Sequence, residues 1–147
     1  MTSSLTPVLT LGELREFMAQ AFPQVNLAGQ HFYIDAIGPG LATMRLESAE
    51  IHLRPGGTIS GPAMFTLADY AAYAVILAHI GPVGLAVTTN LNINFLRKPE
   101  PGTLMCDGRI LKLGKRLCVV DISIYKPGSD DVIAQATATY SIPPERG

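Results

Sequence analysis

One stretch of the sequence limits the fold more than any other. From Ser60 to Ala78 nearly every side chain is apolar or small, yet Asp69 stands in the middle. Asp69 is the only charged residue between Arg54 and Arg97, with histidine counted as neutral. The run opens on a helix-start signal. The Ser60 hydroxyl can accept from a first-turn amide, and Pro62 lacks only an N–H that the first turn leaves unbonded anyway. Gly81 and Pro82 supply the stop. A helix that is apolar on nearly every face has to be buried on most sides. Its carboxylate, about two turns in, must then be paired, reached by solvent or used.

The run is nearly long enough to cross a bilayer, but the mid-run Asp69, the many alanines and the lack of nearby basic flanks make it a core helix. Met1–Thr10 has neither a basic nor an apolar leader region, so a cytoplasmic protein is expected, with no membrane partner. A chain of 147 residues, 48% hydrophobic and 16% charged, can bury one real core. A single domain over residues 1–147 is expected, with 1–24 as a helical N-terminal extension. The net charge of -1 gives no pull towards nucleic acid. The apolar excess of so small a chain suggests that a second subunit covers part of its surface. Cys106 and Cys118 fit no disulfide framework or metal spacing and read as small buried hydrophobes.

The rest of the chain divides by its periods. Leu11, Leu14, Phe17, Met18 and Ala21 share one face of a short helix that Pro23 stops. His31–Ile37 and Leu41–Leu46 read as strands around the turn Gly38–Gly40, hence a hairpin. Ser48–Gly57 is an irregular loop. After the long helix, Leu91, Ile93 and Phe95 alternate with Asn90, Asn92 and Asn94, a clean period of two within a strand spanning Val83–Leu96. Strands follow at Thr103–Leu113, Arg116–Tyr125 and Val132–Ile142, separated by turns at 99–102, 114–115 and 126–130. Pro143 and Pro144 end the ordered chain. Four consecutive antiparallel strands are expected to form a meander, extended by the first hairpin. One sheet and one long apolar helix have a simple burial solution, in which the sheet curls around the helix. The class is α+β.

These elements carry motifs that resemble those of the phenylacetate-pathway (PaaI-like) hotdog acyl-CoA thioesterases. Gly57–Asp69 is similar to that family's helix-start motif, whose usual form is G-x-x-H-G-G-x-x-x-x-L-x-D/E. Val87–Arg97 is similar to its first strand after the helix, which commonly ends in a hydrophobic-Leu-Arg-Pro pattern. The resemblance covers residues 25–142. It implies the hotdog fold, an antiparallel sheet wrapped around a long central helix, and hydrolysis of an acyl-CoA to the free acid and coenzyme A. It implies that Asp69 is the general base or nucleophile, that the Gly61 amide holds the thioester oxygen, and that a hydroxyl from the partner subunit's strand assists. Thr88 occupies that last position, with Thr89 beside it. The family's histidine is Ser60 here, its second glycine is Pro62, and its upstream Asn or Gln falls near Arg54.

The residues themselves support such a site. The free amides of a helix N-terminus carry about half a unit of positive charge, which suits a developing oxyanion, and a glycine lets a carbonyl approach closely. Asp69 lies eight residues from Gly61, about 12 Å along the axis, so the two cannot easily flank one small group in a single chain. A two-fold homodimer with antiparallel central helices removes the difficulty, and a dimer of dimers would keep it. Ser60, Arg54 and His52 sit before the helix and are candidate substrate contacts. His79 suits the dipole at the helix C-terminus. Arg97, Lys98, Lys112, Lys115 and Arg116 are candidates for the phosphates of coenzyme A. Coenzyme A arrives as part of the substrate, and no cofactor or metal is expected. The rival function is a non-catalytic acyl-ligand binder on the same fold. A hydratase would need a histidine near Asp69 on the helix, and there is none.

Overall fold

The computed structural model describes residues 5–144. The start of the expected N-terminal extension, the first residues of the leader reading and the tail beyond Pro144 lie outside that span. Helix α1 (Leu11–Ala21) is opened by a reciprocal cap. The Thr10 hydroxyl accepts from the Glu13 N–H at 3.1 Å, and the Glu13 carboxylate accepts from the Thr10 N–H at 2.9 Å. Its apolar face, with Leu14 and Met18, is buried in the core. Pro23 ends the helix as expected, and a 3₁₀ turn, Pro23–Asn26, follows it.

The sheet has six antiparallel strands: β1 (Phe32–Gly38), β2 (Leu41–Glu47), β3 (Val87–Phe95), β4 (Thr103–Leu113), β5 (Leu117–Tyr125) and β6 (Val132–Ser141). Their order is β1-β2-β4-β5-β6-β3. The first hairpin does extend the later strands, through β2 against β4. The four-strand meander is corrected to three, because β3 pairs with β6 at the far edge and not with β4. Alternation fixes which face a residue occupies but not which strand lies beside it. The connection from β3 to β4 is held instead at the entrance of the long helix, where Pro99 C=O accepts from the Ile59 N–H at 2.9 Å. Strand β3 is also shorter than expected, since Val83–Ala86 closes a turn by an Ala86 N–H to Val83 C=O bond.

Helix α2 (Gly61–Ile80) lies in the curl of this sheet. The sheet residues facing it are apolar or small: Cys106 and Ile110, Cys118, Val120, Ile122 and Ile124, and Ala134, Ala136 and Ala138, all buried. Both cysteines are thus the small buried hydrophobes expected. Alanines at 68, 71, 72, 74 and 78 let the sheet come close. At Gly108 it reaches the helix backbone, where a methyl group would sit 3.1 Å from the Ala71 carbonyl oxygen. Gly81 ends the helix at φ +97°, a conformation that favours glycine. Among the described residues this is the one helix long and apolar enough to cross a membrane, and it is the core helix.

The sheet's two edges differ. The N-terminal segment covers β1. The Arg15 guanidinium donates to the Ile34 carbonyl at 2.7 and 2.9 Å, and the Asn26 side-chain oxygen accepts from the His31 and Phe32 amides. Along β3 the residues are exposed or half-buried, and among the described residues nothing lies beyond it.

Candidate active site

Ser60 caps α2 as expected, its hydroxyl accepting from the Ala63 N–H at 3.2 Å. The Ser60 N–H in turn donates to the His52 carbonyl. The next amide, that of Gly61, donates to no acceptor among the described residues. The Phe95 ring from the end of β3 lies against it, and a methyl group on Gly61 would approach Phe95 Cζ to 3.3 Å. The absent side chain is therefore what lets a flat ring close over the helix start.

Asp69 is half-buried, two turns further on. Its neighbours are two hydroxyls of its own chain. Thr88 Oγ1 donates to Asp69 Oδ1 at 2.6 Å, and the Tyr140 phenol donates to the same oxygen at 2.8 Å. Within one chain, then, Thr88 reaches the aspartate of its own central helix. Thr89 is not brought to the site. The strand is bulged between Thr88 and Asn90, and the Thr89 hydroxyl turns away to the Thr139 carbonyl.

Tyr140 was missing from the sequence reading. On β6 the outward residues Gln135, Thr137 and Thr139 put Ala134, Ala136, Ala138 and Tyr140 on the helix side. A hydroxyl ending a row of buried alanines was the available signal. Burial first, and the adjacent Asp69 charge second, push the phenol's ionisation far above its usual value, so it stays a donor.

The other candidates separate into two ends. Arg54, Arg97 and Lys98 are exposed around the Gly61 end. Arg97 and Lys98 line a cleft of about 200 Å³ together with Lys126, Glu100 and Asp131, and Arg97 lies 3.8 Å from Asp131. Lys112, Lys115 and Arg116 are exposed at the β4–β5 hairpin, whose neighbour across β6 is the Thr88 end of β3. One chain therefore holds these candidate basic residues in two separate groups, one near each half of the candidate site.

The histidines have structural partners. His52 is buried, its Nδ1 accepts from the Ala49 N–H at 2.8 Å, and its ring meets that of His31 edge-on. It braces the approach to α2 and is not the open substrate contact expected. Desolvation foremost, with His31 beside it, lowers its pKa. His79 is also buried, bonded to the Val75 carbonyl through Nδ1 and accepting from the Gly40 N–H through Nε2. It therefore ties the helix to the β1–β2 turn, where a cation facing the helix dipole was expected. Among the described residues no group of His, Cys, Asp and Glu is arranged to hold a metal ion. A cavity of about 380 Å³ between α1 and the first hairpin, lined by Met18, Phe22, Phe32 and Met44 among others, contains none of the candidate residues.

With this geometry in place, comparison with known proteins is decisive for the family. Residues 56–133 match the sequence profile of the thioesterase superfamily. The chain belongs to that superfamily. A solved thioesterase-like protein of Silicibacter is 48% identical over 95% of this chain and 96% of its own, with a TM-score of 0.86. A phenylacetic-acid-degradation-related protein of Ralstonia eutropha is 25% identical over 86% of this chain and 98% of its own, at 0.74. A Streptococcus mutans protein solved with acetyl CoA bound is 27% identical over 80% of this chain and 93% of its own, at 0.70. The PaaI-like resemblance and the hotdog fold, with its antiparallel sheet around a long central helix, are thereby borne out.

Proposed function

We propose that this thioesterase-superfamily protein hydrolyses an acyl-CoA to the free acid and coenzyme A, at a site shared by two copies of the chain. The observation that carries the reading is one helix presenting both an unbonded Gly61 amide and an Asp69 carboxylate with a free oxygen. In the proposed reaction the Gly61 N–H accepts the charge that builds on the thioester oxygen. The free oxygen of Asp69 draws a proton from an attacking water, or attacks the carbonyl carbon itself to give a mixed anhydride that water then opens. The C–S bond breaks and the thiolate leaves with a proton. This chemistry draws on no metal or cofactor. The acetyl CoA held by the Streptococcus mutans relative supports a coenzyme A thioester as substrate. A cytoplasmic location goes with that substrate.

Two copies are needed because Asp69 and Gly61 of one chain are about 12 Å apart along the helix. A two-fold axis beside the open β3 edge would run two β3 strands antiparallel and extend the sheet. That would set the Gly61 end of one chain, with Arg54, Arg97 and Lys98, against the Asp69 end of the other, with Lys115 and Arg116. The two basic groups would then share one mouth, where they can meet the phosphates of coenzyme A.

A screen of acyl-CoA chain lengths with a free-thiol readout tests the reading. Turnover is expected for at least one acyl group, and Asp69→Asn should lower its kcat by about 10²–10⁴-fold while the melting temperature holds or rises. Negligible turnover in the parent protein across the series would favour the acyl-ligand binder. A variant that melts several degrees lower and keeps its activity per folded molecule would make Asp69 a structural carboxylate.

A further inference from the structure

Asp69 is held asymmetrically. Both hydroxyl donors, Thr88 and Tyr140, end on Oδ1, and among the described residues no donor reaches Oδ2. Oδ2 is nevertheless not sealed in the core, because no buried side-chain oxygen of the described residues lacks a partner. It is therefore reached by solvent. The two donors come from different strands, β3 and β6, which are paired at Thr88 and Tyr140. Tyr140 itself has little freedom. It is 3% exposed, and its ring stacks on Tyr73 at 6.2 Å and 27°. Tyr73 is pinned in turn through a bond to the Gly84 carbonyl. The phenol oxygen also lies 3.1 Å from the Asp69 backbone carbonyl.

We propose that Tyr140 is a positioning residue for Asp69, and that with Thr88 it occupies Oδ1 so that Oδ2 alone is the reacting oxygen. The inference deepens the thioesterase reading given above and rests on it for the word reacting. Two hydroxyl protons on one oxygen fix the rotation of the carboxyl plane and take up that oxygen's lone pairs. The other oxygen is then aimed without any contact of its own. Preorganisation of this kind lowers the cost of reaching the reactive geometry and leaves substrate affinity alone. Since either donor can hold Oδ1, each compensates partly for loss of the other.

The test is a set of variants measured on the best acyl-CoA. Tyr140→Phe and Thr88→Val should each lower kcat by up to about tenfold, the lower end of what one lost hydrogen bond to a charged group removes because the remaining donor compensates, with KM nearly unchanged. The double variant should lose more than the product of the two. On an Asp69→Asn background, Tyr140→Phe should change kcat by less than about twofold, because its effect passes through the carboxylate. Thr88→Ser should restore most of what Thr88→Val loses, and this holds the test open if Tyr140→Phe folds poorly. Independent additive losses, or lowered stability with kcat intact, would overturn the proposal. A readout without substrate separates it from the activity itself. A low-field phenol proton that disappears in Tyr140→Phe and in Asp69→Ala is expected even if no acyl-CoA is turned over. Its absence from the parent protein would sink the clamp while leaving the hydrolase reading standing.

Discussion

The two edges of the sheet are built for opposite ends. The β1 edge is closed from within: Arg15 occupies the Ile34 carbonyl, and Asn26 takes the His31 and Phe32 amides. The β3 edge is nine residues long, carries Leu91, Ile93 and Phe95 on its inner face, and has no cover among the described residues. An open strand of that length is a hazard unless something pairs with it. Both edges belong to one sheet with one hydrophobic core, so stability alone does not explain why one is sealed and the other left bare. The bare edge is also the one that supplies Thr88 to Asp69 and Phe95 to Gly61. The sealed edge serves the fold, and the bare edge borders the candidate site.

The sharpest way to break this contrast is to spoil the bare edge. Ile93→Lys places a charge on the inner face of β3, where two copies would meet. A monomer of about 16 kDa by sedimentation is expected, with acyl-CoA turnover reduced at least about 10²-fold, because the Gly61 and Asp69 halves no longer combine. A variant that stays dimeric and active would show that β3 is not the shared edge.

The sealed edge should answer differently. Arg15→Ala uncovers the Ile34 carbonyl and removes two charged donors, at a cost of about 1 kcal/mol in a partly solvated setting. For a chain of this size that lowers the melting temperature by about 2–4 °C. Kinetic constants per folded molecule should hold, and a selective loss of kcat would end the division of labour between the edges.

The smallest effect expected is a pH dependence confined to the same sealed side. His52 sits against His31, whose amide is part of the β1 cover, and its pKa in the folded protein is lowered by burial. The unfolded chain binds the proton more readily, so this contribution is complete above the unfolded value of about 6.5 and is lost as pH falls through and below it. Calorimetry should show the melting temperature dropping from pH 7.5 to 5.5, and dropping less in His52→Gln. An equal slope in both proteins would remove His52 from the account.

What the sequence disclosed, and what it withheld, follows the range of each signal. The long helix, its Ser60 cap, its Gly81 stop and the isolation of Asp69 are local and were legible. So were strands β4, β5 and β6 as elements, since each runs between turn signals. The neighbour of β3 was not legible, since pairing is a property of two distant segments. Thr88 and Thr89 show how a local rule can mislead. Counting back by twos from Phe95, Ile93 and Leu91 turns Thr89 inward, and a one-residue bulge reverses that and presents Thr88 instead. Tyr140 was hidden because its significance depends on Asp69, which is 71 residues away. His52 looked like a loop residue and is buried, since nothing in its own neighbourhood announces the His31 and Phe32 rings packed on it.

The contact at Gly108 has a mechanical consequence. There the sheet and the central helix touch backbone to backbone, with no layer of side chains between them to act as a cushion. A side-chain layer can take up added volume by changing rotamer, whereas two main chains this close leave no room for it. Helix α2 and strand β4 are therefore spaced at this point by main-chain atoms, and Asp69 and Gly61 both lie on that helix. Strand β3 brings Thr88 and Phe95 to that helix from the other side of the sheet. A methyl group at position 108 would therefore push β4 away from the helix that carries both Asp69 and Gly61.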